Sequence, residues 1–161
     1  MFKKILVPLD GSELAAKVLP QVIDLAKAYG SQVTLLHVFL DLKKAVSGEL
    51  LDELMAHEVK SCETYLAQVA KDLSAQGVNA QTECFVGMPP QDIIAYADKN
   101  GMDLIAMATH GKGEVAWVLG STAEKVVTHA TLPVLLIRVM EIAAPKTKED
   151  AILEVLDRGI P

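Results

Sequence analysis

The amino-acid sequence predicts an α/β fold: one soluble domain with an open, doubly wound, parallel five-stranded sheet and helices on both faces. Apolar stretches of strand length alternate with stretches in which apolar residues recur every three or four positions. The strand-like stretches are apolar on both faces, which is typical of a parallel sheet covered by helices. The chain has 161 residues, 51% of them apolar, which suits one domain with a substantial core.

The N-terminal part of the chain contains two predicted strands joined by a helix. Residues 3–9 make up a short, mainly apolar stretch, which is predicted to form the first strand. Ser12 is a good N-cap for a helix over residues 12–29, and we expect Pro20 to bend this helix because proline has no N–H to donate. The apolar residues 32–39 form the second strand.

The middle of the chain contains a long helix, a third strand and a shorter helix. The long helix spans residues 49–76 and has one apolar stripe: Leu51, Met55, Val59, Cys62, Leu66, Val69 and Leu73. Residues 78–86 mostly alternate between polar and apolar, so we expect this third strand at an edge of the sheet. Pro89 and Pro90 open a helix that ends near Asn100.

The C-terminal part completes an alternating order of strands and helices. Residues 103–109 form the fourth strand, and residues 110–119 form a loop or a partly helical segment. A helix over residues 121–129 and a fifth strand over residues 132–139 follow. Right-handed crossovers between successive strands then give the doubly wound sheet. The domain covers residues 1–140. Residues 141–161 form a C-terminal extension, in which residues 151–156 have the pattern of a short helix.

Composition and charge narrow the classes of function. The net charge of −6 argues against a nucleic-acid partner. No apolar run approaches a membrane span, and no signal peptide is visible, so a cytoplasmic location is the default expectation. The two cysteines, Cys62 and Cys84, fit no disulfide framework or zinc-ligand pattern. We expect both of them to be buried free thiols.

Parallel doubly wound sheets bind ligands beyond the carboxyl ends of their strands, at the point where the strand order reverses. This rule selects three segments before any motif is considered: residues 8–12, the stretch from Val38 onward, and residues 109–122.

The third of these segments has a phosphate-binding pattern. Thr109-His110-Gly111-Lys112-Gly113 precedes Gly120-Ser121-Thr122 at a predicted helix start. Glycines let backbone N–H groups approach an anion, and the helix start adds donors and the positive end of a dipole. A glycine-containing surface loop with Ser121 as a simple N-cap is the alternative. A Walker loop is excluded because no G-x-x-x-x-G-K-[ST] occurs, and the context is wrong for a dinucleotide fingerprint.

Asp10 follows the first strand and is suited to accept a hydrogen bond from a ribose or an exocyclic amine, or to hold a metal ion that bridges phosphates. A role in the turn beside Gly11 and Ser12 is equally compatible with its position. His37 lies within an apolar strand and is assigned to the core, whereas His110 lies in the glycine loop and is a candidate site residue.

Together these residues resemble the universal stress protein family. The resemblance runs from KKILVPLDGS through FVGMPPQDIIAYA and DLIAMATHGKG to LGSTAEKVVTHATLPVLLIRV. The nucleotide-binding members have a pattern close to G-x2-G-x9-G-[ST], which Gly111, Gly120 and Ser121 match in part. The resemblance implies a doubly wound fold, a stress-response role, an ATP or AMP ligand in the switch-point cleft, and a homodimer joined through the fifth strand. Mg²⁺ is an optional companion of the phosphates, because Asp10 is suited to hold a bridging metal ion.

The resemblance also implies a set of nucleotide-binding residues, carried over by position. The residues expected to line the adenosine side are Pro8, Leu9 and Asp10, together with Val38 and Gly87. Those expected to surround the phosphates are Met107, Ala108, Gly111, Gly120, Ser121 and Thr122. His110 is added to this set because it lies in the glycine loop. Val38 is expected to meet the adenine through its backbone, and Gly87 to border the ribose.

The sequence departs from the family pattern at two points. The first glycine of the pattern is Ala108 here, and eight residues instead of nine separate Gly111 from Gly120. Both departures affect the terminal phosphates more than the adenosine.

Three functions are compatible with these observations. The favoured function is a regulatory module that binds an adenine nucleotide. The second is a slow ATPase or a nucleotidyl-transfer enzyme, against which the sequence shows no positioned base, metal cluster or arginine finger. The third is a nucleotide-free dimeric interaction module. The retention of Gly111, Gly120 and Ser121 from the nucleotide-binding pattern argues against it.

Overall fold

A computed structural model describes residues 1–40, 49–111 and 119–140 of the chain. Strands and helices alternate along it, apart from a divided first helix. In chain order the elements are β1 Lys4–Pro8, α1 Glu13–Ala16, α2 Leu19–Tyr29, β2 Gln32–Leu40, α3 Glu49–Ala75, β3 Ala80–Gly87, α4 Pro89–Lys99, β4 Leu104–Ala108, α5 Ser121–His129 and β5 Val134–Ile137.

The five strands form one parallel sheet in the order β3-β2-β1-β4-β5. The chain builds outward from β1 to β3, then crosses back to add β4 and β5 on the other side of β1. The strand order therefore reverses between β1 and β4, which confirms the predicted doubly wound α/β fold. The third strand lies at a sheet edge, as its alternating pattern predicted.

The core has two layers, one on each face of the sheet. On one face α1, α2 and α3 pack on the sheet through residues such as Ala15, Val22 and Leu66. On the other face α4 and α5 pack through Ile93 and Val126. Side chains that alternate along β1 and β2 reach both layers, which explains why these strands are apolar throughout.

The helix predicted over residues 12–29 is divided into α1 and α2, and the prediction of one bent helix was wrong. Pro20 lies in the first turn of α2, the one helical position where its missing N–H costs nothing. Between the two helices Lys17 and Val18 donate three residues back, to Leu14 and Ala15. The proline therefore starts a new helix instead of bending the old one.

The long helix α3 buries only the later part of its predicted stripe. Cys62, Leu66, Val69 and Leu73 are buried in the core, whereas Val59 is exposed. Val59 is therefore a member of the apolar stripe that lies outside the core.

The two cysteines are joined by a disulfide, so the prediction of free thiols was wrong. Cys62 of α3 and Cys84 of β3 have Cα atoms 6.3 Å apart, within the range that a disulfide spans. The sequence could not show this pairing, because it results from the packing of α3 against β3 and not from the 22-residue spacing.

Two predictions fall wholly or partly outside the described residues. The structure of the glycine loop between residues 112 and 118 and the helix predicted in the extension 141–161 stay predictions. Among the residues that are described, no helix is long and apolar enough to cross a membrane.

Candidate functional site

A cleft of about 260 Å³ opens at the carboxyl ends of β1 and β4, at the predicted switch point. Its volume lies just below the usual range for small-molecule sites. The cleft is lined by loop and strand-end residues together with a residue of α1 and the N-terminal parts of α4 and α5. Its lining residues are Pro8, Leu9, Asp10, Ala15, Leu36, Val38, Pro89, Ile93, Met107, Ala108, Thr109, His110, Gly111, Gly120, Ser121, Thr122 and Ala123.

Eleven of the twelve predicted site residues line this cleft; the exception is Gly87. Gly87 ends β3 and lies beside the cleft, where an added Cβ would be 3.3 Å from Cγ1 of Val38. The same Cβ would overlap the Asp92 carboxylate, which accepts a hydrogen bond of 2.6 Å from the Met88 N–H. Gly87 is thus a residue of close packing at the cleft border.

Six lining residues were absent from the predicted set: Ala15, Leu36, Pro89, Ile93, Thr109 and Ala123. Thr109 belonged to the predicted loop motif, so a signal for it existed. Ala15, Ile93 and Ala123 are buried apolar residues on the sheet-facing sides of their helices, and their pattern indicates core packing alone. Only the depth of the cleft shows that they also face a cavity.

The apolar side of the cleft is formed by the ends of β1 and β2. Leu9 continues the sheet beyond β1, since its N–H donates to the carbonyl of Leu36 over 2.8 Å. Val38 and Met107 are buried and belong to the same core layer as Leu36. These residues give a rigid apolar wall with backbone groups at its rim, which suits a flat heterocycle.

Asp10 is held in place by Ser12. Oδ1 of Asp10 accepts hydrogen bonds from the N–H of Ser12 over 2.9 Å and from its hydroxyl over 2.6 Å. The hydroxyl of Ser12 also accepts from the N–H of Ala15 over 3.1 Å and so caps α1. Both predicted roles of Asp10 therefore fit its position: it orders the turn, and its carboxylate also faces the cleft.

Gly111 lies directly against the Asp10 carboxylate. A Cβ at position 111 would overlap Oδ2 of Asp10 and lie 3.3 Å from its Cγ. The φ angle of Gly111 is outside the left-handed region. Glycine is therefore required here for close approach and not for backbone conformation.

The start of α5 forms the polar end of the cleft. The N–H of Gly120 donates to the carbonyl of Thr109 over 3.0 Å, which joins the two ends of the glycine loop. The first intrahelical bond of α5 runs from the N–H of Glu124 to the carbonyl of Gly120. The N–H groups of the first turn, at Ser121, Thr122 and Ala123, precede that bond in a segment that lines the cleft. Their direction and the helix dipole favour an anion.

His110 and Thr109 are buried at the end of β4. His110 is 4% exposed, and its Nδ1 lies 2.8 Å from the hydroxyl of Thr109. The N–H of Thr109 donates to the carbonyl of Ile137 and so joins β4 to β5 beyond the strand ends. The imidazole therefore lines the cleft from a fixed position. His37, by contrast, faces the α3 layer beside Phe39, with ring centroids 6.0 Å apart.

Tyr65 of α3 lies close enough to Asp10 to respond to its charge. Burial, and then the negative charge of Asp10, raise the pKa of Tyr65 above its usual value of 10.0. Its hydroxyl is buried and has no hydrogen-bond partner among the described residues. The Asp10 side of the cleft is thus negative and favours neutral or cationic donors over acceptors.

No cluster of three or more possible metal ligands occurs in the described part of the chain. Asp10 is the one carboxylate that lines the cleft there. A single carboxylate fits a magnesium ion whose remaining ligands are phosphate oxygens and water.

Comparisons with known proteins identify relatives of this chain and of its fold. The sequence model of the Universal stress protein family matches residues 1–138. Universal stress protein MJ0531 of Methanocaldococcus jannaschii is 35% identical over 144 residues, which cover 86% of this chain and 83% of that protein. Universal stress protein YxiE of Bacillus subtilis is 33% identical over 149 residues, which cover 86% of this chain and 100% of that protein.

Solved structures share the same architecture. That of MJ0577 of Methanocaldococcus jannaschii has a TM-score of 0.81 at 31% identity, covering 88% of this chain and 99% of its own. Two more distant structures show the fold alone. They are a universal stress protein in complex with cAMP, at 18% identity and TM-score 0.66, and one from Archaeoglobus fulgidus in complex with dAMP, at 21% and 0.60. They cover 86% and 85% of this chain, and each is covered over 98% of its own length.

Proposed function

Because this chain belongs to the universal stress protein family, we propose that it is a stress-response regulatory module that binds an adenine nucleotide and acts as a homodimer. One observation carries the nucleotide proposal. An apolar strand-end wall and an anion-binding helix start face each other across one cleft at the switch point. The cAMP and dAMP complexes of proteins with this fold support an adenine nucleotide as the ligand.

The adenosine part of the nucleotide fits the side of the cleft between Leu9 and Val38. The backbone of Val38 offers donors and acceptors for the adenine edge, and the Asp10 carboxylate is suited to accept from a ribose hydroxyl or the exocyclic amine. Guanine presents a carbonyl where adenine presents that amine, so the negative Asp10 side disfavours guanine.

The phosphates fit the first turn of α5, and the α-phosphate has the best-formed place. Gly120 is buried at the helix N-cap, and Ser121 and Thr122 add hydroxyl donors. Ala108 is buried at the end of β4, where the family pattern has glycine, and its methyl group narrows the space beyond the first phosphate. We therefore expect AMP and ADP to bind about as tightly as ATP.

Binding without efficient hydrolysis is the second part of the proposal. Phosphoryl transfer needs an oriented nucleophile and cationic groups around the terminal phosphate. The described cleft residues include no lysine or arginine. Lys112 lies outside the described residues. A magnesium ion that enters with the phosphates would bind through them and Asp10, and would supply charge without a catalytic base.

The homodimer is proposed to form through β5. This strand lies at an edge of the sheet, and all four of its residues, Val134–Ile137, are apolar and partly exposed. Edge strands of this kind promote association, and two-fold pairing covers both copies with one self-complementary contact. Light scattering at micromolar concentration should give twice the chain mass; a monomer mass would contradict this part of the proposal. A cytoplasmic location and the absence of a nucleic-acid partner stay predictions.

Calorimetry with ATP, ADP, AMP and GTP, paired with a phosphate-release assay, tests the nucleotide proposal. The expected result is heat with the adenine nucleotides, weaker or no heat with GTP, and fewer than about one turnover per minute with ATP. No heat with any adenine nucleotide would overturn the binding proposal. Several turnovers of ATP per minute would contradict the proposal that the protein binds the nucleotide without efficient hydrolysis, and would show that it is an ATPase.

A pair of variants assigns the binding to the cleft. Gly120→Asp places a side chain and a negative charge at the N-terminus of α5 and should abolish binding. Thr131→Asp adds the same charge just beyond the other end of α5, at an exposed residue away from the cleft, and should leave affinity unchanged. Circular dichroism of both variants checks that the fold is retained.

A further inference from the structure

The disulfide between Cys62 and Cys84 lies outside the nucleotide cleft, because neither residue lines it. It joins the middle of α3 to the edge strand β3, within the core layer that α3 shares with β1 and β2. Both residues lie in described parts of the chain. The inference drawn from this pair is therefore independent of the proposed nucleotide function.

The two sulfur-bearing residues differ in accessibility. Cys62 is only 3% exposed, because it lies on the face of α3 that packs against the sheet. Cys84 is partly exposed, on a strand at the sheet edge, and its neighbour Glu83 is exposed. Cys84 packs at the border of the same core layer. We therefore expect a small reagent in solution to reach the Cys84 side of the bond first, and to react directly with Cys62 much more slowly.

The fold does not depend on this bond for its core. Leu66, Val69 and Leu73 hold α3 against the sheet without it, and they are all buried. A chain of this size also has enough apolar burial to fold without a covalent staple. Both the disulfide and the dithiol forms should therefore be folded, which a reversible redox pair requires.

We propose that Cys62 and Cys84 form a thiol–disulfide exchange site for low-molecular-weight thiols and disulfides such as glutathione, with Cys84 as the exchanging residue and Cys62 as the resolving residue. The proposal gives a chemical function to two residues that do not line the cleft.

The exchange balances in both directions. In reduction, a glutathione thiolate attacks Sγ of Cys84, the protein S–S bond breaks, and Cys62 leaves as a thiolate and takes up a proton. A second glutathione thiolate then attacks the glutathione sulfur of the mixed disulfide. It releases oxidised glutathione, and the Cys84 thiolate takes up a proton. Oxidation is the reverse: the protein dithiol loses two electrons and two protons, and one molecule of oxidised glutathione becomes two of reduced glutathione.

Mass spectrometry after acid quenching and alkylation tests the site. Wild-type protein is equilibrated with mixtures of reduced and oxidised glutathione, and the disulfide and dithiol forms should interconvert reversibly. A reduced Cys62→Ser variant should accumulate a mixed disulfide at Cys84 when oxidised glutathione is added. A reduced Cys84→Ser variant should react at Cys62 at least ~10-fold more slowly, because exchange rate follows access.

Two controls keep the result decisive. In denaturant the two variants should react at similar rates, which shows that burial causes the difference in the folded state. A brief reaction of oxidised wild-type protein with glutathione, followed by peptide mapping, should find the mixed disulfide at Cys84, so the test does not depend on either variant folding. Equal rates in the folded variants, a mixed disulfide at Cys62, or a wild-type pair that does not exchange would overturn the proposal.

Discussion

Replacement of Gly111 by alanine tests whether the Asp10 turn and the glycine loop are one steric unit. The new methyl group would overlap Oδ2 of Asp10 and lie 3.3 Å from its Cγ. Because the φ angle of Gly111 is not in the left-handed region, the substitution adds no left-handed backbone strain. The overlap is therefore the whole perturbation, and rotation of the Asp10 carboxylate is the cheapest way to relieve it.

That rotation has a cost that can be worked from the contacts. In the native protein Oδ1 accepts hydrogen bonds from the N–H and the hydroxyl of Ser12, over 2.9 and 2.6 Å. The rotation breaks both of these bonds. A hydrogen bond to a charged group contributes about 1.5–3 kcal/mol. Asp10 is only partly buried, so water replaces much of what is lost. We expect Gly111→Ala to lower the free energy of unfolding by ~2 kcal/mol, and to weaken nucleotide binding because the carboxylate has moved.

A double-mutant cycle measured by urea denaturation checks this explanation. In an Asp10→Ala background the carboxylate is absent, so Gly111→Ala should cost less than ~0.5 kcal/mol, the usual size of an unconstrained surface change. If Gly111→Ala costs the same in both backgrounds, the steric link between the two segments does not exist. A neutral Gly111→Ala in the wild-type background would refute the reasoning equally.

Three further predictions concern other parts of the chain. Since the pKa of Tyr65 is raised in the folded state, its phenol keeps its proton to a higher pH there than in the unfolded chain. The free energy of unfolding should thus fall as pH rises from about 10, and Tyr65→Phe should lose less stability than wild type between about pH 8 and about pH 11 by urea denaturation. Reduction of the disulfide opens a loop with a sequence separation of 22 and should lower the unfolding free energy by ~3 kcal/mol, measured with and without reductant; Cys62→Ser should show no such reductant effect. A chain that stops at Ala144 should bind AMP within about tenfold of the full chain, or ~1.4 kcal/mol, by calorimetry, and a larger loss would give the extension a role in the site.

Much of the fold was predictable because its signals are local. Each strand was predicted to within two residues of its observed ends. Short apolar runs, and the polar–apolar alternation of the third strand, differ clearly from helical spacing. The break between α1 and α2 was missed for a local reason: proline favours the first turn of a new helix as well as a bend in an old one. Pattern alone does not decide between the two.

The candidate site was predictable where it consists of strand ends and loops, and less so elsewhere. Asp10, Gly111 and Gly120 follow from the switch-point rule together with residue type. Ala15 and Ile93 do not, because an apolar helix residue has the same pattern whether it packs on the sheet or lines a cavity. The disulfide was missed because it joins two elements through tertiary packing, which no spacing of two cysteines encodes.

The hydrogen bond from the N–H of Gly120 to the carbonyl of Thr109 fixes the two ends of the glycine loop to each other. The position of the first turn of α5 is then set by β4 and not by the number of residues that lie between. The length of the loop can therefore vary without moving the first turn of α5. The loss of one residue between Gly111 and Gly120 then affects the proposed terminal-phosphate end only through the loop itself, and the same segment is a suitable place for engineered insertions that leave the start of α5 in position.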